Sequence, residues 1–207
     1  MKKWLLAPLL FLGCNLEHAP VEITPPAVEV APTKPGRLID IEALRREKDR
    51  SFLQDEDSPL PAEERHSFKG LKYYPLDTAY TVKARLNKYP SPETVKMLTS
   101  TGEQREYLRY GYFEFVLSGT ECRLDVFKQP GSNLLFIPFR DVTSGKETYG
   151  AGRYLDLQES TTDDLYILDF NLAYNPYCAY NSRYSCPIPP PQNTLKVAIR
   201  AGEKSYH

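Results

Sequence analysis

Tyr112-Phe113-Glu114-Phe115-Val116-Leu117-Ser118-Gly119-Thr120-Glu121-Cys122-Arg123-Leu124-Asp125-Val126-Phe127 is the stretch that decides the fold class. Two short runs rich in apolar and aromatic residues, Tyr112–Leu117 and Cys122–Phe127, flank a polar Ser-Gly-Thr-Glu turn. That arrangement predicts a β-hairpin. The same grammar extends on both sides. Val95–Thr99 and Arg105–Tyr110 flank Ser100-Thr101-Gly102-Glu103, and Gln129-Pro130-Gly131-Ser132-Asn133 turns into Leu134–Phe139. Ala79–Leu86 alternates, with Tyr80, Val82, Ala84 and Leu86 on one face. Further strands are expected at Arg153–Leu157, Leu165–Phe170 and Leu195–Ala201. Strands in succession with tight turns predict a mainly β, β-rich α+β domain: an antiparallel meander curled into a partial barrel or sandwich. An N-terminal amphipathic helix is expected over Arg37–Gln54, with Ile41, Leu44, Lys48 and Phe52 on one face and Asp40 as its cap. Pro61 is placed to open a short second helix through His66.

The N-terminus carries a different signal. Met1-Lys2-Lys3 precedes an apolar run from Trp4 to Leu12, then Gly13-Cys14. A basic start, a short apolar stretch and a small residue before the cut predict a secretory signal over residues 1–13. The run is roughly 9 residues, against the ~20 needed to span a bilayer. Phe11-Leu12-Gly13-Cys14 resembles a lipobox, which implies lipidation of Cys14 and attachment to a membrane in the cell envelope. Asn15 resembles an outer-membrane address rather than an inner-membrane retention signal. Residues 14–36 are rich in Pro, Val, Glu and Ala and predict an extended tether, leaving 37–207 as one globular domain.

Charge narrows the partners. The chain has 26 Lys+Arg against 27 Asp+Glu, and removal of Lys2 and Lys3 leaves 24 against 27. No basic excess points to nucleic acid. His18, His66 and His207 have no ligand spacing, so no metal is expected, and no cofactor motif is present. Cys178 and Cys186 lie close together in a Tyr- and Pro-rich loop, and outside the cytoplasm such a pair predicts a disulfide.

Polar side chains concentrate in the C-terminal third: FRDVTSGKETYGAGRYLDL (139–157), LDFNLAYNPYCAYNSRYSCPIPPPQN (168–193) and AGEK (201–204). With Arg46–Phe52, Ser58-Pro59-Leu60 and Phe68-Lys69-Gly70-Leu71, these segments resemble the bacterial domain-of-unknown-function family 1684, over roughly residues 40–206. The resemblance implies a domain boundary and supplies no reaction. Gly145, Gly150 and Gly152 read either as a loop wrapping a ligand or as a hairpin corner. Arg140, Asp141, Glu147 and Arg153 read either as an internal ion-pair network or as a polar cavity in which an arginine grips an anion. Tyr149, Asn171, Tyr174, Asn175 and Asn193 mix hydrogen-bonding groups with aromatic faces, which suits a polar ligand or an irregular loop.

The leading expectation is therefore an envelope lipoprotein that binds a small polar or anionic ligand through Arg140, Asp141, Glu147, Tyr149, Arg153, Asn171, Tyr174, Asn175 and Asn193. One alternative is a structural or assembly lipoprotein that binds an envelope protein. The other is a hydrolase using carboxylates drawn from Glu147, Asp156 and Asp169. Whether the protein is an enzyme is left open.

Overall fold

The computed structural model describes residues 40–207. The signal segment, Cys14, the tether and the expected first turn of the helix from Arg37 lie outside the described residues. Helix α1 spans Ile41–Gln54, with the Asp40 carboxylate accepting the Ala43 N–H at 2.8 Å, and α2 is the short Ala62–Arg65. Six strands follow: β1 (Thr81–Leu98), β2 (Gln104–Leu117), β3 (Thr120–Lys128), β4 (Leu134–Phe139), β5 (Arg153–Gln158) and β6 (Leu165–Asp169). They form one antiparallel sheet in the order β5-β4-β3-β2-β1-β6, curled into a half-barrel.

The first hairpins are longer than the sequence suggests. The separate strands expected at Ala79–Leu86 and Val95–Thr99 are one strand, β1. Its register with β2 shifts between Lys88 and Glu93, which takes in Pro90 and Pro92. Proline cannot donate to a ladder, so an irregularity is where it fits. Arg105–Tyr110 and Tyr112–Leu117 likewise fuse into β2. The β2–β3 turn is Ser118-Gly119, with φ of 51° and 75°. Two positive φ values make the primed two-residue turn whose twist matches the flanking strands.

The concave face carries the main core, including Phe113, Leu124, Leu135, Ile137, Leu155 and Leu168. The mouth of the half-barrel is closed by Leu195–Ala201. Leu195, Val197, Ile199 and Ala201 are all buried, so the segment alternates as a strand would. The segment is nevertheless not a strand. An ion pair takes the place of a ladder. Arg153 points inward from β5 and is 1% exposed. Its guanidinium donates to the Ile199 carbonyl (2.9 Å), the Ala201 carbonyl, the Glu203 carbonyl (3.0 Å) and the Asp141 carboxylate (2.9 Å). Asp141 Oδ2 also accepts the Ile199 N–H at 3.1 Å, and Oδ1 accepts from Thr143. Buried backbone groups must find partners, and here two side chains supply them.

Asn193 performs the same service between β3 and β4, which pair only at Phe127–Phe136. Its side chain, fully buried, donates to the Asp125 and Pro138 carbonyls and accepts the Asp125 N–H, each at 2.8 Å. It bridges the split between the two strands.

Arg153→Met leaves the Asp141 charge buried without its partner and three carbonyls without donors. Breaking such a pair costs about 3–5 kcal/mol. Urea denaturation of the variant is expected to show a loss of that size, and a shift below about 1 kcal/mol contradicts the account.

Candidate functional site

Strand β5 presents two chemistries because side chains alternate across a sheet. Arg153, Leu155 and Leu157 face the concave core; Tyr154, Asp156 and Gln158 face the convex side. That side is not bare. Met97, Tyr107 and Phe127 are buried there, with Phe136 packed against them. The loop after Tyr174 roofs them. The Tyr154 and Tyr174 backbones exchange hydrogen bonds at 2.9 and 3.0 Å, the Tyr154 hydroxyl donates to the Pro187 carbonyl, and Ile188 N–H donates to the Leu98 carbonyl at 2.8 Å.

Between roof and sheet lies a cavity of about 320 Å³. Its aromatic wall is a chain of rings. Tyr107 and Phe136 stack at 5.5 Å, Phe136 meets Tyr154 edge-on at 4.8 Å, and Tyr154 meets Tyr174 edge-on at 5.7 Å. These separations are those of favourable aromatic pairs. Half-exposed Arg105 and the side chains of Gln129, Asn133 and Gln158 add polarity.

Asp156 stands at the end of the aromatic wall. Its Oδ2 accepts the Tyr174 hydroxyl at 2.5 Å, whereas Oδ1 is buried with no partner. Burial pushes the Asp156 pKa up to about 6, opposed by the Tyr174 hydrogen bond. Burial and the neighbouring carboxylate in turn drive the Tyr174 phenol well above its ordinary value, so it remains a donor. A buried carboxylate oxygen left without a donor is costly, and perturbed carboxyls in cavities mark functional sites.

Most of the residues nominated from the sequence are engaged elsewhere. Arg153 and Asp141 form the structural plug, so the expected grip of Arg153 on an anion is corrected: its donors are used by the chain itself. Arg140 Nε donates to the Ala151 carbonyl at 3.3 Å. Gly152 is a hairpin corner: its φ is +109° and a Cβ there meets Phe139 O at 2.6 Å. Glu147 accepts Arg200 in a forked ion pair and the Tyr74 hydroxyl at 3.0 Å. Asp169 accepts the Asn171 N–H at 3.0 Å as a cap. Neither Glu147 nor Asp169 borders the cavity, and the pair of carboxylates a hydrolase needs is not assembled around Asp156. Asn171 holds the Asp77 backbone, Asn175 donates to the Lys204 carbonyl, and Asn193 bridges β3 and β4. Tyr174 alone among the nominated ligand residues reaches the cavity.

The expected disulfide is also corrected. Cys178 and Cys186 are adjacent free thiols, with the Cys178 N–H donating to Cys186 Sγ at 3.2 Å. Cys178 sulfur is held as an acceptor instead. The Cys186 thiol first, and then the Tyr149 hydroxyl at 3.7 Å, lower its pKa to about 6 against the opposing effect of burial.

Arg105, Tyr107, Phe136 and Tyr154 are not among the residues nominated from the sequence. A signal existed: Leu134-Leu135-Phe136-Ile137-Pro138-Phe139 is apolar without alternation. Such a run belongs to a strand buried on both faces.

A curled antiparallel half-barrel, plugged by its C-terminus and roofed on its convex side by a loop, is the class of domain these features define. The chain belongs to the family described as "Protein of unknown function (DUF1684)", whose family model matches residues 66–204. It is similar to an uncharacterised protein of Haloarcula marismortui solved by solution NMR. That likeness has 41% identity and a TM-score of 0.65, and it covers 81% of this chain and 94% of the other. Comparison with curated proteins yields no match.

Asp156 makes stability depend on pH. Its native pKa of about 6 lies above the ordinary 3.8, so the folded state holds the proton more tightly. Stability is then fullest below pH ~4 and falls as pH rises to ~6, by about 2–3 kcal/mol. Asp156→Asn is expected to be more stable than the native protein at pH 7.5 and to lose that advantage by pH 4, as read from urea midpoints. Equal stabilities at pH 7.5 contradict the uncompensated charge.

Proposed function

We propose that the protein is an envelope-tethered binding module whose convex-side cavity takes a small ligand bearing a protonated amine. The amine donates to Asp156 Oδ1, and the ligand body lies against Tyr107, Phe136, Tyr154 and Tyr174. The observation that carries this reading is the buried, unpartnered carboxylate oxygen at the end of an aromatic wall. A carboxylate attracts a cation and repels an anion, and aromatic faces attract cations as well. The ligand's polarity is thus opposite to the anion expected from the arginines of the sequence. Arg105 on the same cavity suits a ligand with an anionic group at its far end. The signal-like Met1–Gly13 and the lipobox-like Phe11–Cys14 support export and a lipid anchor on Cys14.

The test is a thermal-shift and calorimetric screen of the protein at pH 7.5 against small amines, amino acids and polyamines, with matched alcohols and carboxylates as controls. A ligand at 100 times its Kd adds about 2.7 kcal/mol, a readily seen shift. Amines are expected to bind. Their affinity should fall at least tenfold in Asp156→Asn, although that variant is the more stable fold, and should fall in the native protein as pH drops below ~6. Binding of amines that is indifferent to Asp156→Asn overturns the assignment, as does silence across the amines.

A further inference from the structure

The bare edge of β5 carries a second site, which goes beyond the amine cavity. β5 ends the sheet. The Tyr154 N–H and C=O point away from β4, because they are shared with Tyr174. This agrees with the opposite residue, Pro138, which has no N–H to offer. Alternate residues of a strand turn their backbone groups to the same edge. The N–H and C=O of Asp156 and Gln158 therefore also face outward. The segment that pairs with Tyr154 does not run on to meet them: next to Tyr174 the chain belongs to the tight turn Phe170–Leu172 and leaves the sheet. Among the described residues the Asp156 backbone has no partner on that edge.

Helix α1 roofs the gap, leaving a groove of about 300 Å³ lined by Leu44, Ser51, Phe52, Leu155, Asp156 and Tyr177. Its walls are largely apolar. Of its two cations, Lys48 is already paired with Glu203. Arg45, which lines it, carries a buried donor without a partner, its Nε. The other Arg45 nitrogens donate to the Tyr74 and Asn171 carbonyls at 3.0 and 3.3 Å, which fixes the guanidinium in place.

A backbone donor and acceptor on an open strand edge, flanked by a spare side-chain donor and apolar walls, match the chemistry of an extended peptide. We propose that this groove binds a short peptide segment of a partner as an added strand on β5, paired at Asp156 and Gln158.

The probe is an N-acetylated, C-amidated alanine–leucine–alanine–leucine peptide, which has no amine and so does not report on the cavity. Titrated into the ¹⁵N-labelled protein, it is expected to shift the Asp156 and Gln158 amide signals and to slow their hydrogen exchange at least fivefold. The same peptide N-methylated at every amide is expected to leave them unchanged. Ser51→Trp fills the groove from α1, away from the amine cavity, and is expected to abolish the peptide shifts while amine binding persists. No shift at Asp156 and Gln158, equal shifts with the N-methylated peptide, or undiminished shifts in Ser51→Trp overturns the peptide site. Loss of amine binding with these shifts intact overturns the cavity reading alone.

Discussion

The Arg153–Asp141 pair is the contact on which the rest of the structure depends. A half-barrel has an open mouth, and the segment that closes it, Leu195–Ala201, brings apolar side chains and unpaired backbone groups together. The apolar side chains are welcome inside; the backbone groups are not. Arg153 answers with a planar fork of donors that reaches three carbonyls and one carboxylate. Asp141 neutralises the charge and takes an amide proton from the same segment. Burial alone pulls the Arg153 pKa below its ordinary value, and Asp141 opposes that pull. Lysine, a point charge with three donors, has no geometry for the same task.

The plug also explains why the convex side is available for chemistry. Arg153 anchors β5 from within, so Tyr154 and Asp156 project outward from a strand that is held on its inner face. Asp156 then sits at a junction. It borders the roofed cavity and the groove beneath α1, and its carboxylate is held by a single hydroxyl. A rigid strand is a better support for such a group than a loop. The cost of a half-satisfied carboxylate is borne by the surrounding core, as is usual where strain and function coincide.

The roof over the cavity is held without a covalent link. Cys178 and Cys186 lie side by side as thiols, and the loop is pinned by backbone contacts to Tyr154, Leu98 and Ser100. Ser185 adds hydrogen bonds to the Thr99 and Thr101 hydroxyls and the Glu103 carboxylate on the first hairpin. The loop thus joins β5 to the β1–β2 hairpin across the convex side, and the cavity lies beneath that span.

By itself the sequence determined the class of the fold, because hairpin turns and two-residue alternation are local properties of the backbone. It placed β4, β5 and β6 within a residue or so and capped α1 at Asp40. It offered Asp156 as one of three carboxylates for a hydrolase and Tyr174 as one of nine ligand residues, because acids and phenols are legible as chemistry. Only the tertiary structure decided their use. Arg153, Asn193 and Glu147 look like ligand-binding groups in a linear chain, and their donors and acceptors are consumed by Ile199, Asp125 and Arg200, partners 46, 68 and 53 residues away in sequence. Asp156 keeps Oδ1 free because the one hydroxyl that reaches its carboxylate, that of Tyr174, bonds Oδ2. Hydrogen-bond capacity is a property of a residue; whether any of it is left over is a property of the fold.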